Sequence, residues 1–304
     1  LLGQPVRYDG QHKLDPFLRD TLGAYVEYVP VCPEFEAGFG VPREAMRLEG
    51  DPASPRLVTV QTRVDHTDRM NAWARKRVQE LEAEGLCGYI FKSKSPSSGM
   101  ERVKVYNDKG VAVKAGVGLF AAAFMAHFPL LPVEEEGRLQ DPELRENFIE
   151  RIFALQRWRD MLASGRTMRN LIAFHAAHKY LLLSHGDALY REMGRLVAGG
   201  GTLPPGERFP QYEALLLRAL ALKATRCKHV NVLQHILGYF KKQLDANEKQ
   251  EMLEIIDQYA QGLVPRIVPL TLLNHYVRKY QEPYLATQVY LRPHPIELQL
   301  LNHG

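Results

Sequence analysis

What most constrains the fold is a change of character near Asp141. Asp141-Pro142-Glu143 reads as a helix start, and helical periodicity continues through Trp158 and Leu162. Further helices fit Asn170–Ser184, Gln211–Arg226, His229–Leu244, Asn247–Gln261 and Pro269–Tyr280. VAGGGTLPPGERF, Val197–Phe209, reads as a flexible loop between two of them. No convincing strand follows about Tyr106, so the second half is expected to be all-α.

The first half alternates. Asp15-Pro16 opens a short helix to about Leu22, with proline in its first turn. Tyr25–Val31 is β-rich and is expected to form a strand ending at Pro30. A long amphipathic helix fits Thr67–Glu84 and stops at Gly85. Strands are expected at Leu86–Phe91 and Arg102–Tyr106, then a helix at Gly116–Phe128. This order argues for an α/β domain, a parallel sheet with flanking helices. After Pro132 the acidic run EEEGRLQDPE lacks apolar periodicity and reads as a domain boundary. The expected domains are 1–135, α/β, and 136–304, all-α, which suits 304 residues. No apolar run approaches the roughly 18 residues of a membrane span, and no signal peptide opens the chain. Three scattered cysteines make no disulfide framework, so a reducing cytoplasmic setting is expected.

Two expected strand ends carry chemistry. Leu86–Phe91 breaks into Ser95-Pro96-Ser97-Ser98-Gly99, a small polar turn at the place where α/β domains bind ligands. Tyr25–Val31 runs into Cys32-Pro33-Glu34, delivering a thiol and a carboxylate into an irregular loop.

The helical half carries a second signal. Between Glu213 and Asp245 there is no acidic residue, while Arg218, Lys223, Arg226, Lys228, Lys241 and Lys242 are basic. A helix over His229–Leu244 puts Lys228, Asn231, His235 and Lys242 opposite its apolar face. His175, His178 and Lys179, and again His275, Arg278 and Lys279, fall at helical spacing on shared faces. Such donors suit a phosphate backbone, and nearby Tyr180, Tyr239, Tyr276 and Tyr280 could stack on unpaired bases. RNA-binding is therefore expected of His175, Lys179, Lys228, His235, Lys242, Arg278 and Lys279. The alternative for each is a solvated helix surface, and for His175 with His178 a metal pair lacking a third ligand.

LLGQPVRYDG, VCPEFEAGFGVPRE, FKSKSPSSG and the pair Gly116 and Gly118 together resemble the TudS-type thiouracil desulfidase family over about residues 1–130. FHAAHKYLLLSH, NVLQHILGYFKK, PLTLLNHYVRKY and YLRPHPIEL resemble the YbgA-like domain found fused to it. The combination resembles bacterial enzymes that convert 4-thiouridine in tRNA to uridine.

The resemblance implies a 4Fe-4S cluster on three cysteines, with one iron open to the departing sulfur. It implies that Cys32 is one ligand, that Glu34 is the catalytic carboxylate and that Ser95 lies near the reacting ring. The first ligand would fall immediately before Leu1. The third departs from the family: Ser98 stands where shorter members have cysteine, and a serine oxygen is a far poorer iron ligand. Cys87, at the far end of the preceding strand, is expected to be structural. The expected function is a tRNA 4-thiouridine desulfidase, with tRNA as partner and no protein partner. The alternatives are a salvage desulfidase for free thio-nucleobases or thio-nucleotides, and a catalytically degenerate RNA-binding protein.

Overall fold

The computed structural model describes residues 1–199 and 204–302. The chain forms two compact units, Leu1–Asp141 and Pro142–Gly304.

The first unit contains β1 (Met46–Glu49), β2 (Arg56–Thr59), α1 (Thr67–Glu80), β3 (Tyr89–Phe91), β4 (Val103–Tyr106), β5 (Ala112–Gly116), α2 (Leu119–His127) and β6 (Val133–Glu135). One sheet runs β2-β1-β4-β5 and a second pairs β3 with β6. The expected parallel sheet is corrected to a mixed one. β1–β4 and β3–β6 are parallel, whereas β1–β2 and β4–β5 are antiparallel. Short links explain this, because a parallel neighbour needs a crossover of a dozen or more residues. Only five residues, 107–111, separate β4 from β5, turning at Gly110 with φ of 74°.

Two other expectations in this unit fail for physical reasons. Tyr25–Val31 forms no strand; Pro30 lacks a donor, and Val29 and Val31 instead pack against the cluster of Phe91, Phe120 and Phe124. Its apolar residues serve this partial packing rather than ladder pairing. Strands do occur after Tyr106, namely β5 and β6. The boundary between the two units falls within the acidic run, after Asp141, while its first residues Glu134, Glu135 and Glu136 are buried.

Leu48, Leu57, Met70, Val103, Val105 and Leu119 form one core cluster and Ala74, Val78, Leu81, Phe91, Phe120 and Phe124 another. Along β4, Val103 and Val105 point inward and Lys104 outward, the period-two pattern of a sheet with one buried face. α1 gives way to a tighter turn at Leu81–Glu84, and Gly85, at φ 60°, ends it in the left-handed region.

The second unit is all-helical among the described residues. Its main helices are α3 (Pro142–Ser164), α4 (Met168–Ala177), α5 (Lys179–His185), α6 (Asp187–Ala198), α7 (Pro205–Ala221), α8 (Arg226–Leu237), α9 (Ala246–Ala260), α10 (Ile267–Lys279) and α11 (Pro283–Ala286). The expected Asn170–Ser184 helix is two helices broken at His178. Of the expected loop at 197–209, residues 200–203 lie outside the described residues, and α6 and α7 occupy its flanks. At the centre Trp158 stacks on Tyr212 at 5.0 Å and donates its indole N–H to Glu213 at 2.9 Å.

Candidate functional site

The turn Ser95–Gly99 follows β3 and is seated on the first turn of α2. The amides of Leu119, Phe120 and Ala121 donate to the carbonyls of Pro96 (3.2 Å) and Ser97 (2.9 and 3.2 Å). The first amides of a helix have no partner of their own, so the turn caps the helix while the helix fixes the turn. Gly118 makes this contact sterically possible: a Cβ there would lie 2.5 Å from the carbonyl carbon of Ser97 and 2.6 Å from its oxygen. Gly118→Ala is expected to lift Ser97 off the helix and cost about 1–3 kcal/mol. Chemical denaturation checks the cost, and an unchanged midpoint would show that the turn tolerates the methyl group.

The buried acidic strand fastens the same turn from both sides. Glu136 accepts from the Ser93 amide (2.6 Å) and hydroxyl (2.9 Å) and pairs with the Lys92 ammonium. Burial alone would raise its pKa, but these donors outweigh burial and hold it below the ordinary carboxylate range. Glu135 accepts from the Met100 amide at 2.7 Å, while burial pushes its own pKa up. Glu134 accepts from Arg138 at 2.6 Å.

Against this turn lies Glu34. Its Oε1 accepts from the Ser97 hydroxyl at 2.9 Å, and Ser97 Oγ is 3.1 Å from Ser95 Oγ. The Ser98 amide donates to Ser95 Oγ at 3.1 Å, and Ser98 Oγ accepts weakly from the Lys92 amide at 3.4 Å. Glu34 Oε2 is held by Arg43, through Nε at 2.9 Å and through Nη2. Arg43 Nη1 donates to the carbonyls of Val6 (3.1 Å) and Gly40 (3.0 Å). The Cys32 thiol approaches the same Val6 carbonyl at 3.8 Å. Burial pushes this thiol's pKa up, and the carboxylates of Glu34 and Glu36 add to the rise. Cys32, Glu34, Ser95 and Ser98 thus belong to one hydrogen-bonded neighbourhood. Sequence reasoning missed Ser97, Arg43, Glu135 and Glu136. The first two lie inside the family motifs, but neither carried a spacing signal of its own.

The donor set can be tested against a cluster held by three thiolates. Cys32 is the one cysteine in this neighbourhood; Cys87 precedes β3 at its opposite end, and Cys227 is on α8 in the other unit. Ser98 offers an alcohol that is already hydrogen-bonded. Among the described residues no three His, Cys, Asp or Glu side chains are grouped to hold a metal ion. These residues do not fit a three-thiolate cluster.

In the helical unit the candidate RNA contacts separate. His175 is half-buried, stacked on Tyr190 at 5.3 Å and 3.0 Å from the Tyr212 hydroxyl, and burial lowers its pKa. His178 is buried between the Phe174 carbonyl (2.8 Å) and Arg157 (3.2 Å), and burial brings its pKa down to about 3. Lys179 lies over the Tyr180 ring at 5.1 Å. Lys228 donates to the carbonyls of His185 (2.6 Å) and Lys223 (3.3 Å). Lys279 pairs with Glu248 at 2.6 Å. His235, Lys242 and Arg278 are exposed. The set is therefore not one surface: His235, Lys242, Arg278 and Lys279 face solvent, Lys279 in an ion pair, and the other three are partly buried and engaged within the unit.

The fold and these motifs define a desulfidase-type domain joined to a helical domain. The 2-thiouracil desulfurase family matches residues 1–136, and DUF1722, a family described as a protein of unknown function, matches residues 179–295. The chain belongs to the family that joins a TudS-type desulfidase domain to a YbgA-like one. It is 31% identical over 155 residues to the uncharacterized protein YbgA of Escherichia coli K12, covering 51% of this chain and 92% of that protein. It is also 33% identical to the solved 4Fe-4S-dependent thiouracil desulfidase TudS, covering 46% of this chain and 89% of that one, with a TM-score of 0.38. No helix among the described residues is long and apolar enough to cross a membrane.

Proposed function

We propose that this chain removes the C4 sulfur of 4-thiouridine in tRNA, with water as co-reactant and uridine and hydrogen sulfide as products. The observation that carries the reading is Glu34, clamped by Arg43 through one oxygen and presented to Ser97 through the other. A carboxylate so held keeps a lone pair on Oε1 to take a proton from the attacking water. In this reading Ser97 orients Glu34, and the Ser95 hydroxyl, linked to Ser97 at 3.1 Å, turns to donate to the ring substituent when substrate binds. The related TudS is 4Fe-4S-dependent, whereas the residues of this chain supply water activation and hydrogen bonds, with one thiol. The helical unit holds the tRNA through exposed cations such as Lys242 and Arg278, with His235 as a further exposed donor.

Ser98, an alcohol already hydrogen-bonded to the Lys92 amide where the family has a thiol, favours a second reading, in which the chain binds thiolated RNA without turning it over. One experiment separates them. Bulk tRNA and, in parallel, a 4-thiouridine nucleotide are incubated with the anaerobically purified chain, and iron, sulfide and residual 4-thiouridine are measured. Depletion from tRNA is the expected result. Consumption of the free nucleotide alone points to salvage, and salt-sensitive binding with no depletion supports the second reading.

A further inference from the structure

We infer that Tyr239 is a stacking ledge for an unpaired nucleobase, which deepens the proposed tRNA contact and rests on it. Of the four tyrosines expected near the cationic faces, the fold removes three from consideration. Tyr180 and Tyr276 are buried, and the Tyr280 hydroxyl is turned to the Gln243 carbonyl (3.2 Å) and Glu248 (3.3 Å). Tyr239 is 37% exposed, the one exposed Tyr, Phe or Trp among the described residues of this unit.

Its setting is built rather than incidental. The turn Gly238–Phe240 extends α8, and Phe240 is fully buried, so the turn is anchored one residue away. One face of the Tyr239 ring stacks on Tyr284, with centroids 5.6 Å apart and planes at 16°. Tyr180 meets it edge-on at 6.5 Å and 84°. An exposed aromatic usually samples several rotamers, and ordering it opposes binding. Here the neighbours have already fixed the ring, and a little over a third of the residue stays open to solvent.

Charge then selects the occupant. His235 lies one turn before Tyr239 near the end of α8, Lys242 follows in the turn after Gly238–Phe240, and all three are exposed, so the ring has a donor side chain on either side of it in the chain. No carboxylate occurs in the chain between Glu213 and Asp245, so the segment that carries Tyr239 bears no negative side chain. A single-stranded nucleic acid has the matching pattern, a flat base beside each backbone charge. An apolar protein segment would use the ring but leave the flanking cations without partners.

The test is a fluorescence-anisotropy titration of labelled tRNA and of a uridine-rich single-stranded RNA, at several salt concentrations. Tyr239→Ala is expected to weaken binding about tenfold while leaving the salt dependence unchanged, and Tyr239→Phe to stay within about twofold of the parent. Lys242→Ala is expected to reduce the salt slope by about one. Thermal melting checks that the variants remain folded. A parent that binds RNA in a salt-dependent way, with Tyr239→Ala binding equally well, overturns the ledge and leaves the tRNA reading standing. A parent that binds neither RNA overturns both.

Discussion

Replacing Arg266 with leucine is expected to destabilise the helical unit by about 3–5 kcal/mol. This guanidinium, 5% exposed at the start of α10, pairs with Glu146 and, at 3.6 Å, with Glu150, both on α3. It also contacts both ring nitrogens of His229 on α8, at 2.9 and 2.6 Å. Glu150 in turn meets His185 of α5 at 3.2 Å. Burial raises the Glu150 pKa, but the bond from His185 outweighs it, so the carboxyl stays below its usual range and charged. Leucine would fill much of the volume while leaving two buried carboxylates without their shared cation. A surface pair such as Arg191–Asp187 is worth under about 1 kcal/mol, so Arg191→Leu serves as the control. Urea unfolding followed by far-ultraviolet circular dichroism reads both. A cost for Arg266→Leu no greater than the control's would mean that water or a side-chain shift relieves the carboxylates. Combining it with Glu146→Gln and Glu150→Gln should recover part of the loss, because the penalty lies in the unpaired charge.

That cluster illustrates what the sequence could and could not reveal. Several helices followed from periodicity, but α6 was not expected, Asn170–Ser184 proved to be two helices, and the expected His229–Leu244 helix stops at Leu237 before a tighter turn. The partners of Glu150 come from α5 and α10, and no local spacing encodes such an encounter. The same limit hid β5 and β6. Ala112–Gly116 has little β-branched content, and Val133–Glu135 looks like a charged linker until the turn it fastens is visible. Lys228 and Lys279 fit a cationic face by spacing, yet one is satisfied by carbonyls and the other by Glu248, because side-chain reach exceeds what a helical wheel resolves. Motif residues fared better. Cys32, Glu34, Ser95 and Ser98 lie in one neighbourhood because the loop after Val31 and the turn after β3 meet beside α2.

In that neighbourhood Glu34→Gln is expected to lower the turnover of thiolated substrate by about 10²–10⁴-fold with little change in KM. Glutamine keeps an oxygen for Arg43 and nearly the same shape, so the loop stays in place. It cannot accept a proton from water, and that capacity is what the clamped carboxylate supplies. Glu34→Ala is a poorer probe, because it would strand the Arg43 guanidinium, whose side chain is 7% exposed, and confound folding with chemistry. Ser97→Ala removes one hydrogen bond to Oε1 and is expected to cost only about tenfold, since Arg43 still holds the other oxygen. The order of the two effects is the informative quantity. If Ser97→Ala is as damaging as Glu34→Gln, the hydroxyl acts on substrate directly and the carboxylate merely orients it. If Glu34→Gln turns over thiolated tRNA at the parental rate, the proton from water goes elsewhere, and Glu34 is not the base.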